Sequence, residues 1–244
     1  MIDFHSHVLS GIDDGSRDIQ TSIAILETSR KQGVSCMVAT PHFYADNDRI
    51  DSFLENRARA MEQLDETIAE LNLESRVPKL FVCSEVAYYP GISESNVIEK
   101  LTLEGTNILL LEMPFGDWRQ SQVDEVYRLC EKRGFKVVLA HLERFMTREN
   151  KKYIKEVLDM SKSLPVYVQI NAGPLTDWKQ SRKLVKMFGS GDAHFLGSDC
   201  HGMHRRPPNM GDGMAVLVKK LGRGFIDELY KKNVSFLREA GLEL

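Results

Sequence analysis

Short apolar runs alternate with longer amphipathic stretches from one end of the chain to the other, and that alternation predicts strands followed by helices. Strands are expected at 2–5, 35–39, 80–84, 107–111, 136–140, 166–171 and 194–198. Between them, 18–31 carries Ile19, Ile23 and Leu26 on one helical face, and 50–71 carries Phe53, Ala60 and Leu64. Asp48 ahead of Ile50 reads as a helix start, and Gly33 and Gly134 read as helix stops.

About seven strands alternating with helices predict a parallel sheet, and a distorted (β/α)7 barrel of the TIM type fits better than an open doubly wound sheet. No Gly-rich dinucleotide fingerprint follows the first strand. No linker, repeat or low-complexity segment divides the chain, so residues 1–244 are expected to form one domain. With 42% hydrophobic residues the chain can bury a sizeable core.

A formal net charge of -3 argues against non-specific nucleic-acid binding. Cys36, Cys83, Cys130 and Cys200 are far apart and form neither a zinc pair nor a secreted disulfide framework, which suits a reducing cytoplasm. The N-terminus shows no export signal, and no apolar run reaches the length of a membrane span.

Of the 7 histidines, His5, His7, His42, His141 and His201 fall at or just beyond the C-terminal ends of these strands. Glu85, Glu112 and Asp199 fall there too. Residues two apart on a strand share a face, so His5 with His7, and Asp199 with His201, can reach a common point. In a (β/α) barrel those ends build the active face. One such histidine is ordinarily a hydrogen-bonded structural residue, and one such carboxylate an ordinary helix cap. Eight together would be costly to bury unpaired, and metal ligation removes the cost. A mixed nitrogen and oxygen donor set suits manganese, zinc or iron, and the lack of ligand cysteine argues against a structural zinc site. In the Asp13-Asp14-Gly15 turn, either aspartate can cap the following helix or join the cluster. Arg144 and Arg206 lie just past cluster positions, and a guanidinium there offers a bidentate fork to a phosphoryl group.

The set His5-x-His7, His42, Glu85, Glu112, His141 and Asp199-x-His201 resembles the motifs of the PHP (polymerase and histidinol phosphatase) superfamily, over residues 3–206. Within it, Ile2-Asp3-Phe4-His5-Ser6-His7 with Asp13-Asp14-Gly15, Ala140-His141-Leu142-Glu143-Arg144, and Ser198-Asp199-Cys200-His201 with Arg206-Pro207-Pro208 are similar to the manganese-dependent protein-tyrosine phosphatases of bacterial capsule and exopolysaccharide operons. The resemblance implies a PHP fold with three metal sites. One takes His5, His7, Glu85 and Asp199, a second shares Glu85 with Glu112 and His141, and a third takes Asp14, His42 and His201. Motif position alone prefers Asp14 to Asp13. It implies Mn2+, with iron, zinc or magnesium as alternatives, and Arg144 and Arg206 as phosphate-binding residues. It also implies attack by a metal-bridging hydroxide, assisted by His201 or His204, on a phosphotyrosyl protein such as a cytoplasmic tyrosine autokinase. His194, at the start of its strand, is read as structural.

Cys200 and Arg206 also satisfy the C-x5-R spacing of cysteine-dependent phosphatases. That chemistry needs an activated thiolate and a glycine-rich amide cradle, and this loop has Gly202 and paired prolines instead. The competing readings are a phosphatase for a small phosphomonoester such as histidinol phosphate, an amidohydrolase, and a non-catalytic metal-binding module. An amidohydrolase usually ends in a lone Asp, not Asp-x-His, and a non-catalytic module tends to lose ligands.

Overall fold

A computed structural model describes residues 1–244. Strand β1 (Ile2–Ser6) pairs with β2 (Cys36–Ala39), which pairs with β4 (Lys79–Val82). A second ladder runs β3 (His42–Phe43), β5 (Glu85–Ala87), β6 (Ile108–Glu112), β7 (Lys136–Leu139), β8 (Val166–Asn171) and β9 (Phe195–Gly197). Every pairing is parallel.

The nine segments are seven strand units, because two are interrupted just before they deliver a candidate ligand. Thr40-Pro41 separates β2 from β3, and Cys83-Ser84 separates β4 from β5. Proline has no N–H to give the ladder, so the strand kinks there and His42 is aimed afresh. Hydrogen bonds cross both breaks, from Cys83 N to Ala39 O at 2.8 Å and from Glu85 N to Pro41 O at 3.0 Å. Across the remaining gap, Asp199 N donates to His5 O at 2.7 Å and His7 N to Cys200 O at 2.9 Å. The result is a curled parallel sheet.

The alternation along the strands sorts side chains into two cores. Leu109 and Leu111 of β6, and Val137 and Leu139 of β7, join a cluster of 46 buried residues. Their neighbours Ile108, Leu110, Val138 and Ala140 join a separate cluster of 13. The larger cluster receives the apolar faces of α1 (Ile19–Lys31), α2 (Ile50–Glu70), α3 (Gln120–Glu131), α4 (Lys151–Met160), α6 (Trp178–Ser190) and α7 (Met210–Leu221). The smaller one closes on itself and on Phe236 and Leu237 of α8 (Arg223–Glu239), with Phe195 4.1 Å from Phe4 and 4.8 Å from Phe236 between ring centroids. Between β8 and α6 lies the short helix α5 (Ala172–Thr176). Glu112, two residues beyond Leu110, stands on the face of the smaller core.

Helix ends follow local chemistry with two departures from expectation. Asp18, not Asp13 or Asp14, caps α1, accepting from Thr21 N at 2.8 Å. Asp48 does not cap α2; its carboxylate accepts from Tyr44 N at 2.6 Å and closes the 44–48 turn. Gly33 and Gly134 do stop α1 and α3, at φ +92° and +71°, where a side chain would be strained. The four cysteines are free and buried, and no helix is long and apolar enough to cross a membrane.

Candidate metal centre

His5 and His7 bring their Nε2 atoms within 3.1 Å of each other, both fully buried. Their other nitrogens are occupied from behind, His5 Nδ1 by Gln169 Oε1 at 3.1 Å and His7 Nδ1 by Asp13 Oδ2 at 2.6 Å. With the proton held on Nδ1 by these acceptors, both Nε2 lone pairs face inward. Opposite them stand Glu85 Oε2, at 3.1 and 3.3 Å, and Asp199 Oδ1, at 3.5 and 3.4 Å.

Glu85 sits between groups. Its Oε2 also lies 3.0 Å from His42 Nδ1, while its Oε1 faces His141 Nε2 at 2.8 Å. The same His141 nitrogen is 3.2 Å from Glu112 Oε1. On the outer side, Asp14 Oδ1 approaches His42 Nε2 at 3.6 Å and His201 Nε2 at 3.3 Å. The two neighbouring aspartates have divided roles: Asp13 turns inward beneath His7, and Asp14 stays 70% exposed above the pocket. All nine residues singled out for metal binding in the sequence therefore meet in one place, in overlapping groups whose donor atoms lie within 4.8 Å of one another.

The donor set fits cations. Glu85 Oε2 and Asp199 Oδ1 are buried and accept no hydrogen bond, although a buried carboxylate oxygen without a partner is costly. Burial opposes ionisation of both groups, but His5, the other imidazoles and, for Asp199, Arg144 hold them well below the usual carboxylate range. Both remain charged acceptors.

Arg144 and Arg206 converge on Asp199 Oδ2, and Arg206 Nη1 also lies 2.7 Å from His201 Nε2. Their side chains are 32% and 38% exposed, so the guanidiniums stand at the mouth of the pocket. Three of the four non-glycine residues at positive φ, His141, Asp199 and Arg206, belong to this cluster. Such backbone persists only where surroundings over-determine it, and it marks where the fold has bent to aim a side chain.

Several positioning residues escaped the sequence reading. Gln169 Oε1 accepts from His141 N at 2.7 Å as well as meeting His5, and its Nε2 donates to Asn171 Oδ1 at 2.8 Å. Asn171 Nδ2 in turn donates to Asp199 Oδ2 at 2.8 Å. Two amides, two residues apart at the end of β8, thus tie three cluster residues together; their placement at a strand end was the available signal. Asp13 Oδ2 also accepts from His42 N at 3.0 Å. Burial works against the charge of Asp13, yet the His7 hydrogen bond and its charge outweigh burial and hold the carboxyl at about 2.

Cys200 is wholly buried in the larger core, and burial, reinforced by the charge of Asp3, pushes its thiol far above the ordinary range. The C-x5-R spacing is accidental here. His194 accepts from Val168 N at 3.1 Å, a bond within the strand framework, and His204 is exposed.

A parallel sheet whose strand ends gather imidazoles and carboxylates around shared buried oxygens defines an α/β protein with a candidate metal-binding cluster. The chain belongs to the capsular polysaccharide synthesis CpsB/CapC family, whose model matches residues 1–238. The tyrosine-protein phosphatase CpsB of Streptococcus pneumoniae is 29% identical over 257 residues, covering 96% of each chain. Its namesake from Streptococcus agalactiae serotype III is 27% identical over 255 residues, again 96% of each. Among solved structures, a chain from the crystal structures of YwqE from Bacillus subtilis and CpsB from Streptococcus pneumoniae, described as unique metal-dependent tyrosine phosphatases, superposes with a TM-score of 0.79 at 24% identity, over 95% of this chain and 92% of that one.

Proposed function

We propose that this chain is a single-domain, metal-dependent protein-tyrosine phosphatase on a distorted seven-strand barrel of the PHP type. It acts in the cytoplasm on a phosphotyrosyl protein, of which a tyrosine autokinase controlling capsule or exopolysaccharide synthesis is the proposed example. One observation carries the reading: Glu85 presents its two oxygens to two different groups of imidazoles while one of those oxygens lacks any hydrogen bond.

His5, His7, Glu85 and Asp199 would hold one ion, Glu85, Glu112 and His141 a second, and Asp14, His42 and His201 a third, with Mn2+ as the proposed metal. Bound ions supply Lewis acidity toward phosphoryl oxygens and a nucleophile from water near neutral pH. The protein's own part is positioning and charge. Arg144 and Arg206 stand at the mouth with exposed guanidiniums and bind the non-bridging oxygens of the phosphate. Asp199, which both arginines contact, fixes their approach before substrate arrives. A tyrosyl leaving group, with an unperturbed pKa near ~10, asks little of a general acid, and His201, whose Nδ1 meets Asp199 O at 3.0 Å, would serve through Nε2 as a ligand.

Protein stripped with chelator and reloaded with Mn2+ should release phosphate from a tyrosine-phosphorylated kinase tail far faster than from histidinol phosphate, and should be inactive when stripped. Preference for histidinol phosphate would transfer the assignment to small phosphomonoesters. Full metal loading with no phosphoester cleaved would leave a binding module.

A further inference from the structure

Two exposed aromatic side chains stand immediately beyond candidate ligands. Tyr44 is two residues past His42, and Phe115 is three residues past Glu112. Phe115 is 69% exposed and Tyr44 40%, although aromatic rings of this size ordinarily contribute to the core.

Neither is a stray loop residue. The loop carrying Phe115 is built from below: Trp118 is buried, its ring tilted against Phe145 at 5.5 Å, its N donates to Asn150 Oδ1 at 2.8 Å, and Asn150 Nδ2 donates to Gly116 O at 3.0 Å. Gly116, at φ +101°, takes the turn that leaves Phe115 outside, 5.4 Å from Phe145. Phe145 in turn lies 5.6 Å from the His141 imidazole. A loop anchored at Gly116 and Trp118 thus holds an apolar ring in water beside the pocket.

Tyr44 is held as firmly. Its N donates to Asp48 Oδ2 at 2.6 Å, its O accepts from Asn47 and Asp48, and its ring sits 5.2 Å from His42. β5 alone separates β3 from β6, so about 10 Å lies between the strands that lead to the two rings. Of the ligands below, His5, His7, Glu85, Glu112, His141 and Asp199 are buried.

The geometry points to Tyr44 and Phe115 as the walls that receive the aryl ring of the substrate, making the site select aryl over alkyl phosphomonoesters by ring contact at the rim. A long aryl phosphate can lodge its ring between them while its phosphate reaches the buried cluster; a short alkyl phosphate leaves both rings uncovered. This rests on the reading of the chain as a tyrosine phosphatase.

Steady-state kinetics on the Mn2+-loaded enzyme test it, comparing wild type with Phe115→Ala, Phe115→Trp, Tyr44→Leu and Tyr44→Phe on a phosphotyrosyl peptide and its phosphoseryl counterpart. Loss of a ring is expected to raise KM for the phosphotyrosyl peptide about 3- to 10-fold, the equivalent of one aromatic pair, and to lower the aryl-to-alkyl ratio of kcat/KM by the same factor. Phe115→Trp and Tyr44→Phe, which keep a ring, should hold that ratio. Calorimetry should show phenylphosphonate binding weakened by the same factor in the ring-deleted variants. An aryl-to-alkyl ratio unmoved in both ring-deleted variants overturns the proposal while leaving the phosphatase reading intact, as does wild type that cleaves both peptides equally well. Wild type that cleaves neither overturns the phosphatase reading and this proposal with it.

Discussion

Asp13 Oδ2 lies 2.6 Å from His7 Nδ1, and that contact turns the Nε2 of His7 into the metal pocket. The adjacent Asp14 faces the other way, toward His42 and His201. On the proposed function, one aspartate is a support and its neighbour a donor. Asp13→Ala should therefore weaken metal binding by ~10–100-fold through the misdirected His7 and His42, the usual cost of losing such a support. Asp14→Ala should instead lower the number of ions bound at saturation. Elemental analysis and metal titration of both variants check this, and identical behaviour of the two would contradict the division of roles.

Gln169 is expected to matter as much as a ligand. Removing its side chain in Gln169→Ala frees the His5 ring and leaves the buried amide of His141 without an acceptor, at a cost of ~1–3 kcal/mol. Urea unfolding should show that loss in the metal-free protein. Metal affinity should fall in parallel, whereas a variant with normal affinity would show that His5 is held by other means.

A methyl group cannot be added at Gly197. A Cβ there would lie 2.6 Å from His5 Cβ and 2.7 Å from Gln169 Nε2, both inside contact distance. Gly197→Ala should cost ~1–3 kcal/mol as an overpacked core does. It should also displace His5, so activity should fall more than stability does when the two are measured on the same preparation.

Cys200→Ser should retain most of the activity, because the thiol is buried in the core and its ionisation is suppressed. His5→Ala should lose nearly all of it. Equal losses in the two variants would restore a cysteine mechanism.

Stability should fall on acidification because of His194, whose ring bonds to the backbone of β8 and to none of the cluster residues. Burial, with the nearby Lys232 charge, lowers its pKa to about 4 against the opposing charge of Asp192. The unfolded chain takes up a proton near the ordinary ~6.5 and the folded chain does not, so stability is complete above that value and drains away as pH falls toward 4. The whole effect is ~3 kcal/mol. Urea midpoints between pH 7 and 4.5 should show a shallower pH dependence in His194→Gln than in wild type.

The sequence by itself determined the seven strand units, their alternation with helices and the residues at their ends, because period-two burial and the cost of buried charge leave their mark one residue at a time. His5, Glu112 and His141 could be picked out in this way without knowing what faced them. What needed the tertiary structure was every relation between strands. Asp13 and Asp14 have the same chemistry and adjacent positions, and only the path of the turn beneath His7 separates support from donor. Gln169 and Asn171 look like ordinary strand amides until β8 is set beside β7 and β9. The interruptions at Pro41 and Ser84, the bent backbone at Asp199 and Arg206, and the burial of Cys200 also depend on contacts between residues remote in the chain. A chain records which groups must be paired; their partners are fixed only when the sheet curls and brings its strand ends together.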